Sequence, residues 1–458
     1  MRVIICGAGQ VGYNIANYLS REDNDVTIID VDAALISQIN DDLDVNGVVG
    51  YASNPDTLKA AGANDADMII AVTMSDEVNM VACQIGHSLF SIPKKIARIR
   101  EQSYLDPAWS NLFSRSHMPI DVIISPELVI ANDIYQRLSV PGTTFVNTLA
   151  DGKAHMVGVI CQEDCPVINT PLAHLSNLFS DLSFKVISIL RNNKPIIPDD
   201  DEQLMVGDEA YFVTDTQHLQ RVLAAFGHEE KEARKIVITG GGNIGLGLAN
   251  MLRERNRGVQ IKMIEKSGPR ARYLSEQLED VIILKGNGLD KEILEEASIE
   301  NVETYVAVTN DDESNILGSL LAKQYGCQRV ITLVNNEVYT PLVGPLGIDA
   351  MVLPKATIVA TIMQHVRRGR IKGLHNLRDG FAEVVEAEVS ETSSIANSSI
   401  KELNLPQDVI IGAVVREDEV IMPGPETVIK PDDLVVILAS REQVQHVEKM
   451  FSVQVDLF

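Results

Sequence analysis

The pattern of apolar and polar positions divides the chain into short β-rich runs separated by amphipathic stretches. Apolar runs at 3–6, 26–30, 48–50, 68–73 and 96–100 predict five strands. Between the first two, Val11, Ile15 and Leu19 share one helical face and predict a helix over 11–20. Strands alternating with helices in this way imply βαβ units and a parallel sheet. Beyond Pro141-Gly142 the pattern changes. Strand-like runs near 144–149, 155–161, 185–190 and 209–214 predict a smaller β/α module, and the polar stretch 228–235 connects it to the rest of the chain.

The pattern then repeats. VIICGAGQVG at 3–12 returns as IVITGGGNIG at 236–245, and DADMIIAVTMSDEVN at 65–79 returns as NVETYVAVTNDDESN at 301–315. Ala71-Val72-Thr73 matches Ala307-Val308-Thr309, while Asp76, Glu77 and Asn79 match Asp312, Glu313 and Asn315. IDVIISP at 120–126 answers IDAMVLP at 348–354, VISILRNNKPIIP at 186–198 answers IGAVVREDEVIMP at 411–423, and LMVGDEAYFV at 204–213 answers IKPDDLVVIL at 429–438. The chain is a tandem duplication of a two-module unit.

Each half opens with a glycine triplet between an apolar strand and an amphipathic helix: Gly7-x-Gly9-x-x-Gly12 and Gly240-x-Gly242-x-x-Gly245. The first glycine permits a tight turn, the second lets a pyrophosphate approach the backbone, and the third lets helix and strand pack closely. Helix N-terminal amides, those of Gln10 and Val11 or of Asn243 and Ile244, would stabilise the anion. Asp30 and Glu265 end the next strand, where an acid accepts hydrogen bonds from ribose hydroxyls. An acid there favours NAD(H) over NADP(H), while ATP and ADP satisfy the same two elements. Thr73 and Thr309 follow the fourth strand, at the ligand-binding edge of such sheets, and are candidates to line the cleft. Asp76, Glu77, Asp312 and Glu313 read as first-turn acids favouring a helix N-terminus. IARIR places Arg98 and Arg100 on the fifth strand, where the second half has Thr332 and Val334. Arginine pairs bidentately with phosphate, so the first site is expected to take the more highly charged nucleotide.

Composition narrows the classes. At 458 residues, two to four domains are expected at about 100–200 residues each. With 39 basic and 64 acidic residues the net charge is −25, which disfavours nucleic-acid binding. Five scattered cysteines suggest reduced thiols in the cytoplasm, and Cys161 and Cys165 lack the partners of a metal site. Uncharged runs at 3–20 and 236–252 approach the length of a membrane span, but both are broken by glycines inside the glycine-loop pattern, and no leader peptide is expected. The histidines stand alone, no serine elbow is present, and the acidic run 199–202 reads as a polar turn. Arg367, Arg368, Arg370 and Lys372 read as a solvated helix end. Catalysis and metal binding are not expected.

The glycine-loop module followed by a small β/α module, twice over, resembles the cytosolic regulatory subunits of bacterial potassium transport built from RCK (KTN) domains. The resemblance rests on GAGQVG…IIDVD, AVTMSDEVNM and IARIR in the first half and on GGGNIG…MIEK and AVTNDDESNI in the second, and it covers essentially the whole chain. Two units in one chain resemble the Trk-type form. The resemblance implies an α/β fold of two tandem RCK units, each a Rossmann-like parallel-sheet N-lobe plus a small β/α C-lobe, with lobes at 1–125, 140–227, 234–354 and 372–458. It implies a gating subunit rather than an enzyme, binding NAD(H) and ATP or ADP. It further implies a homotetramer on the cytoplasmic face of the inner membrane, docked on a membrane-embedded potassium channel subunit. The site it implies includes Gly7, Ala8, Gly9, Gln10, Val11, Gly12, Asp30, Tyr51, Ala52, Thr73, Arg98 and Arg100 in the first half. In the second it includes Gly240, Gly242, Asn243, Ile244, Gly245, Glu265, Asn287, Gly288 and Thr309. Related modules often carry an acid after the third-strand glycine to meet the adenosine. Here Tyr51 and Asn287 stand in that place, which leaves nucleotide preference open. An NAD-dependent dehydrogenase and a sensor serving another cation transporter are the alternatives.

Overall fold

A computed structural model of the chain describes residues 1–21, 24–179, 181–192, 194–255, 258–343, 345–366, 371–377, 382–440 and 442–451. Six short strands near the N-terminus, β1 (Arg2–Cys6), β2 (Asp25–Asp30), β3 (Asn46–Val49), β4 (Met68–Ala71), β5 (Lys94–Arg98) and β6 (Val122–Ile124), form one parallel sheet. Its order is β3-β2-β1-β4-β5-β6. Val3 lies between Val26 and Met68, and Cys6 between Ile29 and Ala71. The strands read as unbroken apolar runs because helices cover the sheet, with Ile4, Ile29, Ile69, Met80 and Cys83 in one core. Strand order reverses direction between β1 and β4, which opens a crevice at their carboxyl ends.

Along the chain, an antiparallel sheet comes between this parallel sheet and its repeat. The strands β7 (Phe145–Leu149), β8 (Ala154–Ile160), β9 (Phe184–Arg191), β10 (Lys194–Ile196) and β11 (Glu209–Asp215) form it in the order β10-β9-β11-β8-β7. Next, β12 (Lys235–Thr239), β13 (Gln260–Glu265), β14 (Ile282–Lys285), β15 (Thr304–Ala307), β16 (Arg329–Leu333) and β17 (Ala350–Val352) reproduce the six-stranded parallel order, β14-β13-β12-β15-β16-β17. The last sheet, β18 (Ile371–Leu377), β19 (Ala382–Glu388), β20 (Val409–Arg416), β21 (Glu419–Ile421) and β22 (Leu434–Ser440), is antiparallel in the order β18-β19-β22-β20-β21. Taken from its other edge, this is the topology of the first antiparallel sheet.

The duplication extends to ion pairs on buried aspartates. Arg191 meets Asp208 at 2.8 Å and Arg416 meets Asp433 at 2.8 Å, each aspartate also accepting from the backbone amide three residues before it. The two antiparallel sheets share one hydrophobic cluster, in which Leu149, Met156, Tyr211 and Val213 pack with Val384, Ala413, Val436 and Leu438. Glu386 joins them as well: its Oε2 accepts from the Ala150 amide at 2.6 Å while its Oε1 pairs with His375 at 2.8 Å.

The chain forms two compact units, residues 1–131 with 353–366, and 132–352 with 367–458. The helix Pro354–Val366 follows the second parallel sheet in sequence but belongs to the first unit, packed on the helix Gln10–Ser20 and on β6. The helix Pro126–Ser139 passes from the first unit into the second. Within the second unit Arg255 stacks on Tyr135 at 5.1 Å, and the half-buried Arg329 donates to the carbonyls of Arg137 and Thr143 at 3.0 and 2.9 Å.

Several details differ from what the sequence pattern leads one to expect. The sixth strands, β6 and β17, and the edge strands β10 and β21 are each three residues long, too short to carry a pattern. The fifth strand ends at Arg98, so Arg100 lies past it. Lys372 pairs with Glu388 at 3.1 Å, while Arg367, Arg368 and Arg370 lie outside the described residues. The histidines are not all solitary, since His228 and His375 face Glu230 and Glu386.

Candidate functional site

Both glycine loops sit at the carboxyl ends of β1 and β12 and have the same construction. Gly7 and Gly240 adopt φ of +111° and +108°, conformations a side chain resists, and each donates to the neighbouring strand, Gly7 to Ile29 at 2.7 Å and Gly240 to Ile264 at 2.9 Å. A Cβ on Gly12 would lie 1.8 Å from the Gly7 carbonyl oxygen, and one on Gly245 2.1 Å from that of Gly240. The third glycines are therefore fixed by helix–loop contact. The middle glycines are the opposite case. A Cβ on Gly9 or Gly242 would meet no atom within 4 Å, so the backbone there faces open space. Gly9 caps the helix Gln10–Ser20 with no side-chain acceptor, which leaves the Gln10 and Val11 amides directed at that space.

The acids brace the loops. Asp30 Oδ2 accepts from the Ala8 amide at 2.6 Å and Oδ1 from Asp32 at 2.9 Å. Glu265 Oε2 accepts from Gly241 at 2.8 Å and Oε1 from Ser267 at 2.6 Å. Each oxygen retains a lone pair for a ribose hydroxyl. Beyond the third strands, Tyr51 is 68% exposed and Ala52 is buried. Gly288 is packed so closely that a Cβ would stand 2.4 Å from Thr239 Cγ2, and Asn287 accepts from the Leu289 amide at 3.2 Å.

After the fourth strands the hydroxyls of Thr73 and Thr309 turn inward. Each donates to a fully buried asparagine, Thr73 to Asn79 and Thr309 to Asn315, both at 2.7 Å. The same asparagines accept from the threonine amides at 2.9 Å and donate to the carbonyls of Arg98 (2.9 Å) and Leu333 (3.0 Å). Asp76 and Asp312 do more than open a helix. Asp76 Oδ2 accepts from the amides of Arg100 and Glu101 at 2.8 Å, and Asp312 from those of Asn335 and Asn336 at 2.8 Å. These four residues lock the loops after β4 and β5, and after β15 and β16, to one helix end in each lobe. Their identity in both halves is visible in the sequence; their hydrogen-bond roles are not.

The rims of the two crevices differ. Arg98 is buried, its Nη2 donates to the Thr73 carbonyl at 2.6 Å, and its Nε is a buried donor with no partner among the described residues. Burial, and then the adjacent Arg100, push its pKa down, with Glu127 and Asp76 opposing. Arg100 pairs with Glu127 at 2.9 Å. The strand register puts Leu333 at the place of Arg98 and Asn335 at that of Arg100, because Ala97 pairs with Ala71 as Thr332 pairs with Ala307. That is one residue on from the Thr332 and Val334 that the linear pattern aligns there, and Thr332 hydrogen-bonds Ser319 at 2.6 Å. In exchange, Arg270 of the second half reaches the glycine loop, its Nε donating to the Gly241 carbonyl at 2.7 Å and its Nη2 to Asn243 at 3.2 Å. Nothing in the sequence pattern singles out Arg270. Together the open middle glycine, the helix N-terminus behind it and the braced acid form a cradle that could hold a pyrophosphate and a ribose, twice in the chain.

Comparison with known proteins agrees with this construction. Residues 3–126 and 236–354 match the TrkA-N domain, and residues 156–227 and 384–452 match the TrkA-C domain. The Trk system potassium uptake protein TrkA of Azorhizobium caulinodans is 47% identical over 100% of both chains, and that of Halomonas elongata is 38% identical over 100% of both. A solved structure of the GsuK channel bound to NAD superposes with TM-score 0.60 at 16% identity, covering 98% of this chain and 78% of that one. The chain belongs to the Trk system potassium uptake protein TrkA family.

Proposed function

We propose that the chain is the nucleotide-binding regulatory subunit of a Trk-type potassium uptake system, holding NAD(H), ATP or ADP in each crevice and using that binding to gate a membrane-embedded potassium channel subunit. The observation that carries this reading is the duplicated cradle, open at Gly9 and Gly242 and braced by Asp30 and Glu265. The TrkA relatives named for potassium uptake and the NAD-bound GsuK channel support it.

In this reading the backbone from Gly7 to Gly12 and from Gly240 to Gly245 wraps the pyrophosphate, with the helix-end amides of Gln10, Val11, Asn243 and Ile244 stabilising its charge. Asp30 and Glu265 take the ribose hydroxyls, and Tyr51-Ala52 and Asn287-Gly288 flank the adenosine. Arg98 turns its free Nε toward phosphate, and Arg100 must leave Glu127 to join it. Thr73 and Thr309 shape the crevice floor through Asn79 and Asn315 rather than by touching the ligand. No helix among the described residues is long and apolar enough to cross a membrane, so the channel partner supplies the membrane part. A homotetramer at the cytoplasmic face of the inner membrane fits the family resemblance. A nucleotide gates only through unequal affinity for two states of the assembly, with about 1–3 kcal/mol per site a typical coupling.

The test is affinity capture of the tagged full chain from gently solubilised membranes, followed by flux through the recovered channel. A potassium-channel-like subunit should be recovered, and its flux should respond to ATP and NADH. Gly9→Asp, which puts a carboxylate where the phosphates belong, should abolish nucleotide binding at the first crevice in a folded chain. Unchanged affinity in that variant, or a capture without any membrane protein, would sink the reading.

A further inference from the structure

The two cradles share their spine but not their ribose-side rim. Counting from the acids, Lys266, Arg270 and Arg272 of the second lobe stand where the first lobe has Val31, Leu35 and Ser37. The strand register adds a fourth contrast, since Lys285 pairs with Glu265 while Val49 pairs with Asp30. Lys266 acts electrostatically on Asp311, in the loop after β15, and so lies beside the crevice. Arg270 lies on the glycine loop itself. Arg272 and Lys285 line one cleft of about 630 Å³ with Gly268 and Ser275, and a Cβ on Gly268 would stand 3.3 Å from Lys285 Nζ. The first rim is apolar by comparison, with Val31 and Val49 more than half exposed.

An acid at the end of the second strand ordinarily selects a free ribose 2′-hydroxyl, and an arginine beside it accommodates a 2′-phosphate. Here the acid is common to both lobes and engaged with its own loop amides in both, so it does not distinguish them. The cations do. We infer that the second N-lobe, and not the first, accepts a dinucleotide bearing a 2′-phosphate, NADP(H), with Arg272 and Lys285 holding the phosphate and Lys266 and Arg270 offsetting the charge of Glu265. This rests on the proposal that the second crevice binds a dinucleotide at all. It also reverses, for this rim, the charge preference expected from Arg98 and Arg100.

The experiment uses the full chain carrying Gly9→Asp, which leaves the second crevice, and the reciprocal Gly242→Asp chain, titrated with NADPH and with NADH by calorimetry. The Gly9→Asp chain should bind NADPH at least as tightly as NADH, and the Gly242→Asp chain should prefer NADH by about tenfold or more. Adding Arg272→Ala and Lys285→Ala to Gly9→Asp should weaken NADPH by about tenfold or more and leave NADH within about twofold. NADPH binding tenfold weaker than NADH in the Gly9→Asp chain would overturn the inference while leaving the dinucleotide site standing. Equal losses for both ligands on removing the two cations would overturn it as well. Failure of NADH itself to bind a folded Gly9→Asp chain would remove the second site and the inference with it.

Discussion

Asn79 and Asn315 show how one side chain can set a loop. Each is fully buried and completes hydrogen bonds to a threonine amide, a threonine hydroxyl and two backbone carbonyls. Replacing either with alanine strands the threonine amide and a strand-end carbonyl, at a cost of about 2–3 kcal/mol. Denaturant midpoints of Asn79→Ala and Asn315→Ala should therefore fall by similar amounts, and a much smaller loss in one would show that its loop relaxes onto water. His155 offers a second residue-scale outcome. Burial holds its pKa below the ordinary 6.5, because the charged form is the one desolvation penalises. The unfolded chain then takes up a proton that the folded chain resists, so the stability His155 provides is present above about pH 6.5 and is lost as pH falls toward the folded pKa. His155→Phe should flatten the dependence of Tm on pH between 7.5 and 5, as read by calorimetry in matched buffers.

At the scale of elements, the informative piece is the helix Pro126–Ser139. Its last turn is held by Arg329, a half-buried guanidinium spanning two carbonyls, and by Arg255 over Tyr135. A lysine replaces the planar two-armed fork, whose Nη1 and Nη2 each hold one carbonyl, with a single point of donation. Arg329→Lys should therefore lower Tm nearly as far as Arg329→Ala, and near wild-type stability in the lysine variant would mean that charge alone suffices there. Elements are also where the sequence is most and least readable. The first five strands of the N-lobe and the glycine-loop helix announce themselves because buried parallel strands are apolar on both faces and the helix has a clean apolar stripe. The three-residue strands carry no such signal. Nor does the membership of Pro354–Val366 in the first unit, since local periodicity states which face of a helix is apolar and not what covers it. The candidate site divides similarly: the loop that Gly7, Gly9, Gly12 and Asp30 build is legible because their spacing is the geometry, whereas Arg270 acts across a fold the linear pattern does not encode.

For the molecule as a whole, the two antiparallel sheets share one hydrophobic cluster, which couples their stabilities. Leu438→Asp would bury a charge in that shared cluster and should expose both sheets together. Hydrogen exchange should report loss of protection across 145–215 and across 382–440 at once, and loss confined to the second stretch would show that the first sheet stands alone. The duplication gives this arrangement a historical meaning. When a one-unit chain pairs with its own copy, every change in a ligand-facing residue appears in both partners. Two copies in one chain are free of that constraint. The asparagine latches, the arginine–aspartate pairs and the braced acids have stayed alike in the two halves, while Arg98 on one side and Lys266, Arg270, Arg272 and Lys285 on the other have gone separate ways. On the proposed function, one chain thus carries two receivers of common build that can be tuned to different metabolic signals.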